Sequence, residues 1–271
     1  KVLRAIYGCI KSALLWYELY TETLEKEGFT LNKYDRCVAT KMIEGKQCTL
    51  CWYVDDNKLS HMNRKVNDDV IKMVEGHFGK LTVTRGDEHD FLGIKFKIDR
   101  KRKTIKIDVR DHLKEAIEMF PEEITGTRAT PAYGDLFTTY DDTSPRLDEK
   151  RSEIFHSIAA KLLFAGKRGR LDIDVAVAYF TTRVSKSNEK DWYKLKRCLQ
   201  FLQGTMNEVR EVGAASLQDL LTFIDAAYAV HPDMRSQTGG GISMGIGLIH
   251  GKSGKQKLNV KSSTEAEVVG G

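Results

Sequence analysis

Cys48-Thr49-Leu50-Cys51-Trp52-Tyr53-Val54 is an apolar run too short for a helix and rich in strand formers, and Asp55-Asp56-Asn57 interrupts it before Lys58-Leu59-Ser60-His61. The pattern predicts a β-hairpin with acidic residues at its tip. Two adjacent carboxylates repel each other and desolvate poorly, so side by side they make sense chiefly around a cation. Magnesium takes one or two carboxylates plus substrate phosphates, and two-metal sites clamp an in-line phosphoryl displacement. The competing explanation is a polar turn, because Asp and Asn are ordinary turn residues. Taken alone, Tyr53-Val54-Asp55-Asp56 favours the turn; its surroundings reverse that balance.

Trp16, Leu19, Tyr20 and Leu24 repeat at helical spacing within residues 12–27, and Gly28 stops that helix. On the other side, Val66, Val70, Met73, Val74 and Phe78 mark a second amphipathic helix ending near Gly79. Residues 91–98 alternate as a strand and pair naturally with 104–109. Asp111 is placed to cap a helix through Leu113, Ile117 and Phe120, stopped by Pro121. Few apolar positions keep any rhythm over residues 125–146, where the main linker is expected. Helices follow over 153–166, 172–184 and 190–202. From Leu220 the period changes to two, through Phe223-Ile224-Asp225, 241–249 and 256–260, and a last helix starts at Ser263.

With 41% apolar and 30% charged residues the 271-residue chain can bury a sizeable core, which excludes wholesale disorder. No apolar run approaches the roughly 18–20 residues of a transmembrane helix. Lys1-Val2-Leu3-Arg4-Ala5 lacks an apolar signal core, so a secreted setting is not expected. Five cysteines are too few, and odd in number, for a disulfide framework. Cys48 and Cys51 have half of a zinc-finger spacing, but residues three apart on a strand face opposite sides, so structural thiols are expected. The net charge of +5 is modest but unevenly placed. Lys95, Lys97, Arg100, Lys101, Arg102, Lys103 and Lys106 surround a single acid, and Lys161, Lys167, Arg168 and Arg170 share a stretch with none. Dispersed Lys and Arg hold nucleic-acid phosphates without reading sequence; the bland alternative is a solvated face. No helix-turn-helix, zinc-finger or basic-zipper pattern supports sequence-specific DNA binding.

Several motifs stand in a fixed order. Ile6-Tyr7-Gly8-Cys9 and Leu15-Trp16-Tyr17 come first, then Gly28-Phe29, Asp35-Arg36-Cys37, Tyr53-Val54-Asp55-Asp56 and Phe91-Leu92-Gly93-Ile94. Downstream lie Ile173-Asp174-Val175-Ala176, residues 192–197, Leu202-Gln203-Gly204-Thr205, Ile224-Asp225-Ala226, residues 235–240 and residues 262–267. Together they resemble the reverse transcriptase, and the start of the RNase H domain, of copia-type (Pseudoviridae-like) LTR retrotransposon Pol polyproteins. The resemblance covers essentially the whole chain.

It implies an α+β chain: a partial reverse-transcriptase palm over 1–98, a thumb-like region over 99–124, a linker over 125–150, a helical connection segment over 151–215 and a truncated RNase H-like mixed sheet over 216–271. The implied activity is that of an RNA-directed DNA polymerase with ribonuclease H in the full-length parent, the stretch alone being inactive. Magnesium, or manganese in its place, would serve nucleotidyl transfer onto a primer 3′-hydroxyl. The implied partners are an RNA or DNA template–primer, deoxynucleoside triphosphates and the rest of the Pol polyprotein, with no membrane. The implied setting is a cytoplasmic virus-like particle with a nuclear phase.

The same resemblance assigns Asp55 and Asp56 to the polymerase metals, and Asp225 and Glu267 to the RNase H metals. Tyr7, Gly8, Lys11, Tyr53, Val54, Phe91, Leu92 and Gly93 would contact nucleotide or primer, whereas Trp16 is assigned to core packing. Asp225 sits among apolar neighbours, an expensive place for a lone carboxylate. Glu265 competes with Glu267, and capping by Ser262 with Glu265 or Thr264 with Glu267 is the bland alternative. The chain departs from the family pattern at Lys11 (commonly Gln), Ala13 (Pro or Ser) and Ala227 (a second Asp). The family's further polymerase Asp would precede Tyr7, and its remaining RNase H acids would follow Gly271, so an internal piece of a polyprotein is expected. The rival is a decayed, non-catalytic retrotransposon remnant that at most binds nucleic acid.

Overall fold

The computed structural model describes residues 9–137 and 144–271, and it divides after residue 92 into two units, each with its own hydrophobic core. The first unit runs α1 (Ile10–Lys26), β1 (Thr30–Leu31), β2 (Val38–Ile43), β3 (Lys46–Tyr53), β4 (Asp56–Ser60), α2 (Arg64–Phe78) and β5 (Glu88–Phe91). Strands β1 to β4 form an antiparallel meander in chain order. Along β3 burial alternates, with Cys48, Leu50 and Trp52 inward, so Cys51 and Tyr53 belong to the opposite face. The inward residues pack with Tyr20 and Leu24 of α1 and Val66, Val70 and Val74 of α2. Both helices therefore cover one face of the meander. Asn63 starts α2 by accepting a hydrogen bond from the Lys65 backbone N–H.

The second unit contains β6 (Ile94–Asp99), β7 (Thr104–Asp108), α3 (Arg110–Glu118), α4 (Glu149–Arg168), a short 3₁₀ turn, α5 (Asp174–Arg183), α6 (Glu189–Gly204), β8 (Arg210–Ala214), β9 (Leu221–Ala227), β10 (Gln237–Ser243), β11 (Gly245–Ile246), β12 (Leu248–Lys255) and α7 (Ser263–Gly270). Its strands lie in the orders β11-β8-β7-β6 and β12-β10-β9. Leu113, Phe155, Ile158, Leu162, Phe180, Leu195 and Leu199, from four helices, are fully buried together. Asp191 organises the helical end: it accepts hydrogen bonds from Arg183 Nε at 2.9 Å and Tyr179 Oη at 2.5 Å, and completes a capping box with Asn188.

Several expectations change. The pairs within the meander, within β6–β7–β8–β11 and within β12–β10–β9 are antiparallel rather than mixed. Many of these strands follow one another through short turns, whereas a parallel pair requires a long crossover. The strand expected over 91–98 breaks at Leu92 (φ 56) and Gly93 (φ 68), consecutive left-handed residues that make a tight turn. A Cβ on Gly93 would also sit 3.0 Å from His112 Nε2. Asp111 lies in the first turn of α3, not at its cap, and pairs with Lys95 at 2.5 Å. Residues 256–260 form no strand, because the buried Gln256 amide donates to Thr238 Oγ1 and Ala266 O. Strands β2 and β8 were not anticipated. In the stretch expected as a linker, Leu136 is buried, Lys194 Nζ donates to Leu136 O at 2.8 Å, and the Arg197 guanidinium lies 3.4 Å from the Tyr133 ring centroid.

Candidate metal and nucleic-acid sites

Tyr53 pairs with Asp56, so Val54 and Asp55 form the two-residue tip of the β3–β4 hairpin. Val54 has φ 54, a left-handed conformation that is a marked outlier for a β-branched residue. Two bonds from α1 hold this tip. Trp16 Nε1 donates to Val54 O at 2.8 Å. Tyr20 Oη donates to Asn57 Oδ1 at 2.6 Å, and Asn57 Nδ2 donates to Asp55 O at 3.0 Å. Burial raises the Tyr20 phenol to a pKa of about 12, keeping it a donor across the physiological range.

Asp55 and Asp56 are both exposed, and neither carboxylate has a partner among the described residues. Their donor set is hard, anionic and open to solvent, which suits a magnesium-type cation. Trp52 and Asn57 face α1, so Tyr53 and Asp56 occupy the open face of the meander, and Tyr53 and Val54 are exposed beside them. Lys58, two residues beyond Asp56 on β4, shares that face and is half-buried; burial lowers its ammonium pKa. Lys11 is exposed on the first turn of α1. Tyr7 and Gly8 lie outside the described residues. Phe91 ends β5 and Leu92 and Gly93 form the turn described above, so these three do not make a continuous strand.

The Trp16–Val54 bond, the Tyr20–Asn57 relay and Lys58 were missed by sequence reasoning. The spacing of Trp16 and Tyr20 four apart was visible, but it signals core packing equally well. Trp16 does pack, with its ring 5.5 Å from that of Tyr20 and 5.1 Å from that of Phe78. Its N–H contributes the second role.

In the second unit, Asp225 lies on β9 opposite Gly239 of β10. Asp225 is exposed on β9, the strand that ends the β12-β10-β9 order, although its neighbours along the chain are apolar. Glu267 on α7 reaches back to the same strand, its Oε1 accepting from Ala226 N at 3.1 Å. The geometry thus brings Glu267 beside the residue following Asp225. Glu265 is used otherwise: its carboxylate accepts from Lys261 N, and its N–H donates to Ser262 Oγ. Ser262, not Thr264, is the cap of α7. No cluster of three or more His, Cys, Asp or Glu is poised for a metal among the described residues.

The two basic stretches behave differently. Lys95, Lys97, Lys101, Lys103 and Lys106 are exposed on the β6–β7 hairpin, where Lys97 and Lys106 stand directly opposite each other. Arg102 pairs with Glu211 at 3.3 Å. By contrast, the run from 161 to 170 is consumed internally. Lys161 pairs with Glu115, Lys167 with Asp174, and Arg170 is buried against Asp172 and Thr205. Arg168 lies over the Phe164 ring. This second stretch is mostly structural. All five cysteines are free thiols; burial raises the pKa of Cys48 and Cys51, which makes them poor ligands as they stand.

No helix among the described residues is long and apolar enough to cross a membrane. No family model and no solved structure matches the chain. Its relatives include retrotransposon proteins of Saccharomyces cerevisiae. It is 25% identical over 268 residues to a Ty5-1 transposon protein, covering 97% of this chain and 84% of that one. It is 22% identical to the Ty1-MR1 Gag-Pol polyprotein and 23% to the Ty1-DR6 Gag-Pol polyprotein, covering 99% of this chain but 16% of either polyprotein. Along nearly its whole length the chain is similar to the yeast Ty1 and Ty5 retrotransposon proteins.

Proposed function

We propose that the chain is the reverse-transcriptase portion of a retrotransposon Pol polyprotein together with the opening of its RNase H domain. The observation that carries this reading is the β3–β4 tip: two partnerless carboxylates on a strained turn that α1 holds by two routes. A purely polar turn needs neither the left-handed valine nor its brace. Asp55 and Asp56 would hold magnesium, which activates a primer 3′-hydroxyl and neutralises the departing pyrophosphate when bound. Tyr53 and Val54 offer an exposed apolar surface for the primer end. Lys58 places positive charge on the face where phosphates would lie. In the second unit, Asp225 and Glu267 would hold the RNase H metals, and the β6–β7 hairpin would track the nucleic-acid backbone.

The test is magnesium-dependent extension of a DNA primer on an RNA template by the polyprotein that carries this chain. Asp55→Asn is expected to abolish extension, a loss of at least about a thousandfold, while template–primer binding changes little. Extension retained by the variant overturns the assignment.

A further inference from the structure

In the second unit a cavity of about 640 Å³ lies between α4, α5, the loop after β9 and strand β12. That volume falls within the roughly 300–1,000 Å³ of small-molecule sites. One side is apolar and aromatic, with Phe137, Tyr179, Leu163 and Ala178, and the His231 ring lies 4.4 Å from that of Phe137. The rest of the lining is polar and includes five cations, with the carboxylates of Asp174 and Asp233 among them. Three of its five cations are neutralised nearby: Lys167 by Asp174 at 2.5 Å, Lys255 by Asp233 at 2.6 Å and Arg183 by Asp191 at 2.9 Å. Lys186 and Lys252 have exposed side chains with no partner among the described residues.

The walls are tied together. Ser253 N donates to Asp174 Oδ2 at 2.7 Å, and Gln237 Nε2 donates to Ser253 Oγ at 2.7 Å. His231 Nε2 meets Gln237 Oε1 at 2.9 Å, which fixes the ring against Phe137. Two uncompensated ammonium groups beside an aromatic wall match a ligand that joins a planar ring to a phosphate.

We propose that this cavity binds a single nucleotide, its base on the Phe137–His231 wall and its phosphate on Lys186 and Lys252. The cavity is lined by residues of the second unit alone, so the proposal does not depend on the polymerase reading. The shared chemistry, a phosphorylated nucleoside, is offered both by free nucleotides and by a single-stranded polynucleotide.

Isothermal titration of the full chain with adenosine 5′-monophosphate, inorganic phosphate and a short single-stranded oligodeoxynucleotide tests it. Saturable nucleotide or oligonucleotide binding is expected, about tenfold weaker in the Lys186→Glu/Lys252→Glu variant. A Lys65→Glu/Lys72→Glu variant of α2 serves as the control for general charge and should bind the monophosphate unchanged. Phe137→Leu should weaken the monophosphate and leave inorganic phosphate alone. Binding of the oligonucleotide alone, with the same dependence on Lys186 and Lys252, identifies a polynucleotide as the source. The proposal fails if nothing binds saturably, if both charge variants weaken monophosphate binding alike, or if inorganic phosphate binds as tightly as the monophosphate. All four lysines are exposed, so circular dichroism should show unchanged folding in both variants.

Discussion

Trp16 and Tyr20 illustrate how one aromatic residue carries two jobs. Each buries a ring in the first core, and each sends a donor to the hairpin tip. Trp16→Phe keeps the ring and deletes the N–H, so stability should fall by only about 0.5–1.5 kcal/mol. Under the proposed function, primer extension should fall about tenfold, through kcat more than nucleotide KM. A variant with full activity would show that the bond to Val54 O does not position the carboxylates. Tyr20 supplies a pH signature. Its phenol ionises near 10 in the unfolded chain and near about 12 in the folded one. The unfolded state releases its proton first, so stability is intact below pH 10 and declines as pH rises toward 12, by roughly 2–3 kcal/mol in all. Chemical denaturation of wild type and Tyr20→Phe across that window should show the decline flattened in the variant. Equal slopes would contradict it.

At the scale of the element, β9 stands out. It terminates its three-stranded sheet, and Leu221, Phe223 and Ile224 along it are exposed. Edge N–H and C=O groups beside apolar side chains form a template for another strand, even with the Ala226 N–H taken by Glu267. The protein should therefore self-associate as concentration rises, and Phe223→Lys should suppress this while preserving helix content. Light scattering with far-ultraviolet circular dichroism measures both; association unchanged by the lysine would exonerate this edge. On the same strand Asp225, mid-strand among apolar neighbours, is exposed, because residues on both faces of β9 are left open. Sequence shows which neighbours a residue has along the strand, but not whether another strand lies beside it.

For the whole molecule, the division into two cores sets what a mutation can reach. Arg183 is 4% exposed and Asp191 1%, so Asp191→Ala takes the carboxylate away from a buried guanidinium and removes the Tyr179 and Asn188 bonds. A loss of about 3–5 kcal/mol is expected for the second unit. Trp192, stacked 4.6 Å from Phe120, reports on that core, whereas Trp16 and Trp52 report on the first. Unfolding followed at Trp192 should shift strongly; no shift would show that the ion pair is not buried in solution.

Local periodicity was enough for the helices and for the hairpin carrying Asp55 and Asp56, because apolar spacing and turn chemistry act over a few neighbouring residues. Gly28 and the Trp16–Leu24 stripe, or Trp192, Leu195, Leu199 and Leu202, were readable for that reason. Contacts between distant residues were not readable. Strand β8 joins β7 across about a hundred residues, Lys106 pairing with Glu211, and its own five residues carry no clear alternation. Arg170 looked like a phosphate-binding cation in sequence, yet folding buries it against Asp172 and Thr205. Residue type and spacing specify what a side chain is able to do. Only the packed chain settles which partner it meets, because burial and electrostatic pairing depend on groups far away in sequence.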